Sequence, residues 1–116
     1  MEFIGLLSSG KETWGQISGL IKHGDWEKII IIGDSSAKDF ASEKKFEFIQ
    51  ADTSLKLIEL KKELLDKLKS KINGTEVALS IASGNGKEHM ALISALLSIP
   101  AGIRFTALTK DGVVFL

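Results

Sequence analysis

The chain has no cysteine, one proline, two histidines and no net charge, with 15 Lys+Arg against 15 Asp+Glu in 116 residues. Without cysteine there is no disulfide framework, no thiol nucleophile and no thiolate zinc site. Without net charge there is no global field to draw in a long nucleic acid, so any polyanion has to be met by a local patch. No apolar segment approaches the roughly 18 residues that would cross a bilayer. The first apolar run, Phe3 to Leu7, is short and lacks the basic flank of a secretory signal. Cytoplasmic residence with no membrane partner is the resulting expectation. No linker, repeat or low-complexity stretch breaks the chain, and its length suits one domain around one core.

What is present is a regular alternation of strand and helix signals. Phe3 to Leu7 reads as a buried strand, and Trp14, Ile17, Leu20 and Ile21 then recur at helical spacing up to Gly24. Gly15 and Gly19, four apart, predict a helix that sits close to the sheet. Ile29-Ile30-Ile31-Ile32 is four β-branched residues in a row, the mark of a strand covered on both faces in a parallel sheet. A short helix is expected within 35–43, and Phe46 to Gln50 alternates like an outer strand. Asp52, Thr53 and Ser54 offer helix caps. Leu57, Leu60, Leu64, Leu68 and Ile72 mark the apolar stripe of a long helix that Asn73-Gly74 would close, its lysines a solvated face. Val77 to Ala82 reads as the fourth strand. The following helix, over 87–99, is apolar around nearly its whole circumference and ends at Pro100, which predicts cover on more than one side, a second protomer being a natural one. Ile103 to Thr109 and Val113 to Leu116 read as a hairpin turning at Lys110-Asp111-Gly112. Right-handed crossovers turn this order into an α/β fold. It is a Rossmann-like, open, mainly parallel six-stranded sheet with a C-terminal antiparallel hairpin.

Two turns echo each other. Ser9-Gly10-Lys11-Glu12 follows the first strand, and Asn85-Gly86-Lys87-Glu88 follows the fourth. Glycine admits close backbone approach, a helix start supplies unpaired N–H groups and partial positive charge, and lysine completes an anion site. If strands one and four are neighbours, the winding reverses between these turns, where such sheets bind ligands. Ser8, Ser9, Gly10 and Lys11 would line one side, and Ser83, Gly84, Asn85, Gly86 and Lys87 the other. Asp34 and Ser35, after strand two, could reach a ribose or base. His89, in the first turn of its helix, is either a ligand contact or a half-exposed helix residue, whereas His23 at a helix C-terminus reads as structural. Trp14 and Trp26 read as packing residues. Asp34 and Asp52 offer a carboxylate pair for Mg²⁺, although Asp52 serves equally as a cap. No acid–base pair or triad is evident, and the residues call for no cofactor and no metal.

Gly5 to Lys11 has the Walker phosphate-loop spacing, but Glu12 stands where Ser/Thr should bind Mg²⁺ and the loop would begin inside a strand. Ser8 to Thr13 resembles the Ser-Gly-Gly-x-Asp-Ser loop of PP-loop ATP pyrophosphatases, which would imply ATP and Mg²⁺ dependence. The strand order, the serine loop after strand one, the Gly-Lys turn before an apolar helix with Met90, and the final hairpin together resemble a CARF domain, the CRISPR-associated Rossmann-like fold. The family turn commonly reads Gly-Gly-Thr-Lys-x-Met. Here it is Ser83-Gly84-Asn85-Gly86-Lys87-Glu88-His89-Met90, without the threonine and with one residue more between Lys and Met. The resemblance implies a homodimer that binds a cyclic oligoadenylate or another nucleotide, for antiviral defence. It also implies a possible metal-independent ring nuclease in which Lys87 and Ser9 would be the catalytic residues. The alternatives are the pyrophosphatase-like ATP binder and a ligand-free interaction dimer.

Overall fold

The computed structural model describes residues 1–8 and 13–116. Among these, the elements run β1 (Glu2–Leu7), α1 (Trp14–His23), β2 (Lys28–Gly33), a 3₁₀ turn at Ser35–Ala37, β3 (Glu47–Gln50), α2 (Leu57–Leu68), β4 (Glu76–Ser80), α3 (Gly86–Ser98), β5 (Gly102–Thr109) and β6 (Gly112–Phe115). They form one sheet in the order β3-β2-β1-β4-β5-β6. Every neighbouring pair is parallel except β5 and β6. This is the Rossmann-like α/β architecture that the apolar pattern predicts, with the winding reversed between β1 and β4.

Strand periodicity divides the core between the two faces of the sheet. Ile4, Leu6, Ile30, Ile32, Val77 and Leu79 pack beneath α2 and α3. Phe3, Leu7, Ile29, Ile31 and Ala78 pack beneath α1 and the segment carrying Ala37 and Phe40. The isoleucine run therefore sends two side chains to each face, and burying each stabilises the fold by about 1.5–3 kcal/mol. Trp26 stacks on Phe3 with ring centroids 5.0 Å apart, and Trp14 meets Phe40 edge-on. Both tryptophans are packing residues.

Several local expectations need correction. Gly19 does sit where a Cβ would come within 2.3 Å of the Leu108 side chain, but Gly15 faces open space, so one glycine rather than two sets the approach of α1. Asp52, Thr53 and Ser54 do not cap α2, which starts at Leu57 after Lys56. Asp52 instead accepts hydrogen bonds from the backbone N–H and hydroxyl of Ser54, at 3.0 and 2.6 Å. This local turn competes with helix initiation, a habit of Asp and Ser. At its other end α2 stops at Leu68 rather than at Asn73-Gly74. The backbone N–H groups of Asn73 and Gly74 donate to the buried Glu2 carboxylate, drawing the chain toward the sheet. Finally, α3 is covered on one side only within the chain. The sheet and α2 cover Ala91, Leu92, Ala95 and Leu96, and Met90 and Leu97 stay more than half exposed, with Ile93 half-buried between them.

Candidate functional site

Where β1 and β4 run side by side, their continuations diverge toward opposite halves of the sheet. The two loops are tied at this point, since the Ser8 N–H donates to Ser83 Oγ at 2.9 Å. Both serines are buried, and the Ser8 carbonyl accepts from the Trp14 indole N–H. Ser8 and Ser83 are thus brought together as expected, with the Ser83 hydroxyl already accepting a bond. Ser9, Gly10 and Lys11, and Glu12 with them, lie outside the described residues.

The β4–α3 turn is built around two devices. Gly84 has φ +99° and passes close to Leu6, Glu88 and His89. Asn85 and Glu88 then form a reciprocal capping box, Asn85 Oδ1 accepting from the Glu88 N–H at 2.9 Å and the Glu88 carboxylate from the Asn85 N–H at 3.1 Å. The helix consequently begins at Gly86, one residue earlier than its apolar pattern suggests. The spacing Asn-x-x-Glu ahead of an apolar run was a readable signal of this cap. Glu88 completes the cap with its own carboxylate, so a phosphate arriving here would compete with an anion already in place. The N–H groups of Gly86 and Lys87, in the first turn, are the donors the box does not use. The Nε2 atom of His89 lies 2.8 Å from the Ser83 carbonyl oxygen. A carbonyl only accepts, so Nε2 carries the hydrogen of this contact.

Lys87 does not face this mouth. Its ammonium donates to the Thr53 and Leu55 carbonyl oxygens at 2.7 and 2.8 Å, pinning the β3–α2 loop to α3. That loop is in turn joined to the end of β2, because the Thr53 hydroxyl donates to Asp34 Oδ2 at 3.2 Å. The other oxygen of Asp34 accepts from the N–H and hydroxyl of Ser36, and Ser35 is exposed beside it. Asp34 and Asp52 are therefore each occupied in a turn of their own. Among the described residues no group of three or more metal-ligating side chains gathers around them. A cavity of about 630 Å³ opens here, with Asp34, Asp52, Glu63 and Lys67 on its walls.

Hydrogen bonds hold both carboxyls below their ordinary values. The Ser36 hydroxyl, ahead of the backbone and Thr53 bonds, holds Asp34 below its ordinary value against a smaller opposing effect of burial. The Ser54 hydroxyl does the same for Asp52, assisted by the positive charge of Lys87. Asp34→Ala should cost about 1 kcal/mol at neutral pH, the worth of a lost cap, or less because solvent screens a half-exposed group. A carboxyl held low contributes stability above its unfolded-state pKa and loses it as the pH falls through the folded one. The gap between wild type and variant in urea unfolding should accordingly close below about pH 4. A gap that persists undiminished in acid would show that the carboxylate charge is not its source.

One residue at this edge of the sheet has no counterpart among the sequence-derived candidates. Ser80, the last residue of β4, is 1% exposed, and its hydroxyl has no hydrogen-bond partner among the described residues. Leaving such a group unsatisfied costs about 1–3 kcal/mol. A serine at the end of an apolar strand looks like a small core residue, and only the packing around it shows the orphaned oxygen. No protein-family model and no curated protein matches this chain.

Proposed function

We propose that the chain is a nucleotide-sensing domain of the CARF type that binds a cyclic oligoadenylate at the C-terminal edge of the sheet, between β1 and β4. The observation that carries this reading is the Ser8–Ser83 tie at the reversal of winding. It holds a serine loop and a glycine-rich helix start against each other where open α/β sheets take ligands. In this reading the N–H groups of Gly86 and Lys87, with Asn85 and Gly84 at the exposed rim, meet one phosphate of the ring. Ser9, Gly10 and Lys11 follow Ser8 directly in the chain and supply the other side. Because the Lys87 ammonium is spent on Thr53 and Leu55, its part is to position the turn, and Lys11 is the residue left to bring charge to the phosphate. The stripe of exposed Met90 and Leu97 on α3, with half-buried Ile93 between them, is the surface through which two copies would pair about a two-fold axis.

Cleavage, if it accompanies binding, would proceed by attack of a ring 2′-oxygen on the adjacent phosphorus. The 5′-oxygen would leave with a proton, giving a 2′,3′-cyclic phosphate without a metal. Among the described residues at the turns, the Glu88 carboxylate and His89 Nε2 are already hydrogen-bonded to the backbone, which makes a binder the favoured form. The test is thermal unfolding with cyclic tetra-adenylate, cyclic hexa-adenylate and ATP, combined with chromatographic product analysis with and without EDTA. A saturable rise of several degrees with a cyclic oligoadenylate, larger than with ATP, is expected. Light scattering should give a dimer that Leu97→Glu dissociates. Leu97 is the informative position because the neighbouring Leu96 is core. No shift with either ring would sink the ligand assignment, and a Mg²⁺-dependent shift with ATP alone would replace it with the pyrophosphatase-like reading. A dimer that binds neither would leave an interaction module.

A further inference from the structure

We propose that β6 is an assembly edge that pairs, antiparallel and about a two-fold axis, with β6 of a second copy. This contact is separate from the α3 stripe and needs no ligand. Among the described residues the sheet ends at β6, so one side of this strand bonds β5 and the other bonds no strand. In an antiparallel pair every second residue turns its N–H and C=O toward the partner strand, and the next turns them away. The Leu116 N–H donates to the Phe105 carbonyl at 2.8 Å, so Leu116 and Val114 face β5 while Val113 and Phe115 face outward. The other strand has the same parity. Leu108, opposite Val113, has its carbonyl and N–H bonded by the Gln16 side-chain amide rather than by β6.

The two edges of the sheet are built differently. At the far edge β3 opens on Glu47, whose carboxylate meets the Lys71 ammonium at 2.8 Å. Charge on a short strand is a common protection of an edge. By contrast, Gly112-Val113-Val114-Phe115-Leu116 carries no charged side chain and no proline. The Phe115 ring is set by Trp26, edge-on at 6.3 Å, and by the Arg104 guanidinium at 4.7 Å. The strand is thus ordered before a partner arrives, which lowers the cost of pairing. A second copy is the occupant that this edge fits, because the outward-facing residues lie symmetrically about Val114. A two-fold axis there sets Val113 against the partner's Phe115, and Phe115 against the partner's Val113. Each of these pairs exchanges both backbone bonds and places a β-branched side chain beside an aromatic ring on one face. The strand has 4 residues, well short of the roughly 20–30 on each side of a stable interface. The pairing is therefore reversible and grows with concentration.

The test is amide hydrogen exchange, read by NMR at rising protein concentration, in wild type and in Leu97→Glu, which blocks pairing through α3. The Val113 and Phe115 amides should slow by about tenfold or more between micromolar and millimolar protein, because each gains a ladder bond. The Val114 and Leu116 amides bond β5 in either state, so they should change little and report that the hairpin is intact. Val114→Lys sets like charges across the axis on Cα atoms about 4.5 Å apart, and Val114→Glu does the same. Each variant alone should abolish the slowing, and an equimolar mixture of the two should restore it. Exchange at Val113 and Phe115 that does not depend on concentration overturns the proposal, and in a wild type that dimerises it leaves α3 as the assembly surface. Slowing that survives in Val114→Lys, or that the mixture fails to restore, overturns it as well. Slowing in Leu97→Glu equal to that in wild type supports an edge that pairs without α3.

Discussion

Lys87→Ala should lower the unfolding free energy by about 1.5–3 kcal/mol, the range of hydrogen bonds made by charged groups. The Lys87 ammonium makes two such bonds, to the Thr53 and Leu55 carbonyls, across 34 and 32 residues of chain. Removing it leaves both carbonyls to find water, which they can do in part because the contact is only partly buried. That places the expected loss toward the lower half of the range. Lys87→Met retains most of the side-chain stem and removes the charge, so it should behave like the alanine variant if the ammonium is what matters. Hydrogen exchange should localise the effect to the loop at 53–55 and the first turn of α3, with the centre of the sheet unaffected. A loss below about 0.5 kcal/mol in urea unfolding, ordinary for a surface substitution, would mean that the two bonds are not held in solution. The functional corollary is an ordering. Under the proposed function, Lys87→Ala should reduce cyclic oligoadenylate affinity less than Lys11→Ala, since Lys87 would act through the shape of the turn.

Gly84→Ala is the other change with a large expected cost, about 2–5 kcal/mol. Two independent sources contribute. The φ of +99° lies in the region that a residue with a Cβ enters only at a cost of about 1–2 kcal/mol. The added methyl would also come within 2.8 Å of Leu6 Cδ2 and of the Glu88 carboxylate, and within 3.2 Å of His89 Nε2. Overpacking of that kind typically adds 1–3 kcal/mol. Leu6 is held in the core beneath α3, so relief has to come from the turn itself, at the expense of the capping box or of the His89–Ser83 contact. Thermal unfolding that leaves the variant within a degree of wild type would show that the turn has another low-energy path. Gly86→Ala is the internal control. Nothing lies within 4 Å of a Cβ there and φ is not positive, so that substitution should be close to neutral.

The architecture was legible because apolar periodicity reports burial, and burial sets layers. Ile29 to Ile32 announced a strand covered twice, and right-handed crossovers made the sheet mainly parallel, while the pairing of β1 with β4 was a condition that the observed order meets. Boundaries were less legible where short polar side chains could serve either the helix or themselves. Asp52 and Ser54 are typical cap residues, yet they close a turn on each other and α2 starts later. The candidate site was legible in its location and not in its wiring. Ser8 and Ser83 meet, and the turn at Asn85 to Glu88 lies at the reversal of winding, while Ser9 to Glu12 lie outside the described residues. The direction of the Lys87 ammonium depends on backbone carbonyls more than thirty residues away, which carry no side-chain signature. The orphaned hydroxyl of Ser80 depends on what its neighbours already bond. Such facts are properties of the packed chain and have no trace in local pattern.

β1 is buried along its whole length and paired on both edges, with β2 on one side and β4 on the other. Its second partner begins at Glu76, so synthesis has to pass β4 before that edge can close. During synthesis the sequence Phe3 to Leu7 and the isoleucine run beside it would stand as an open, apolar two-stranded template. Unpaired edges of this kind recruit other chains. The yield of native protein should then be set by how soon β4 arrives, making the rate of chain elongation, and not only the final stability, a determinant of how much of this protein a cell can accumulate.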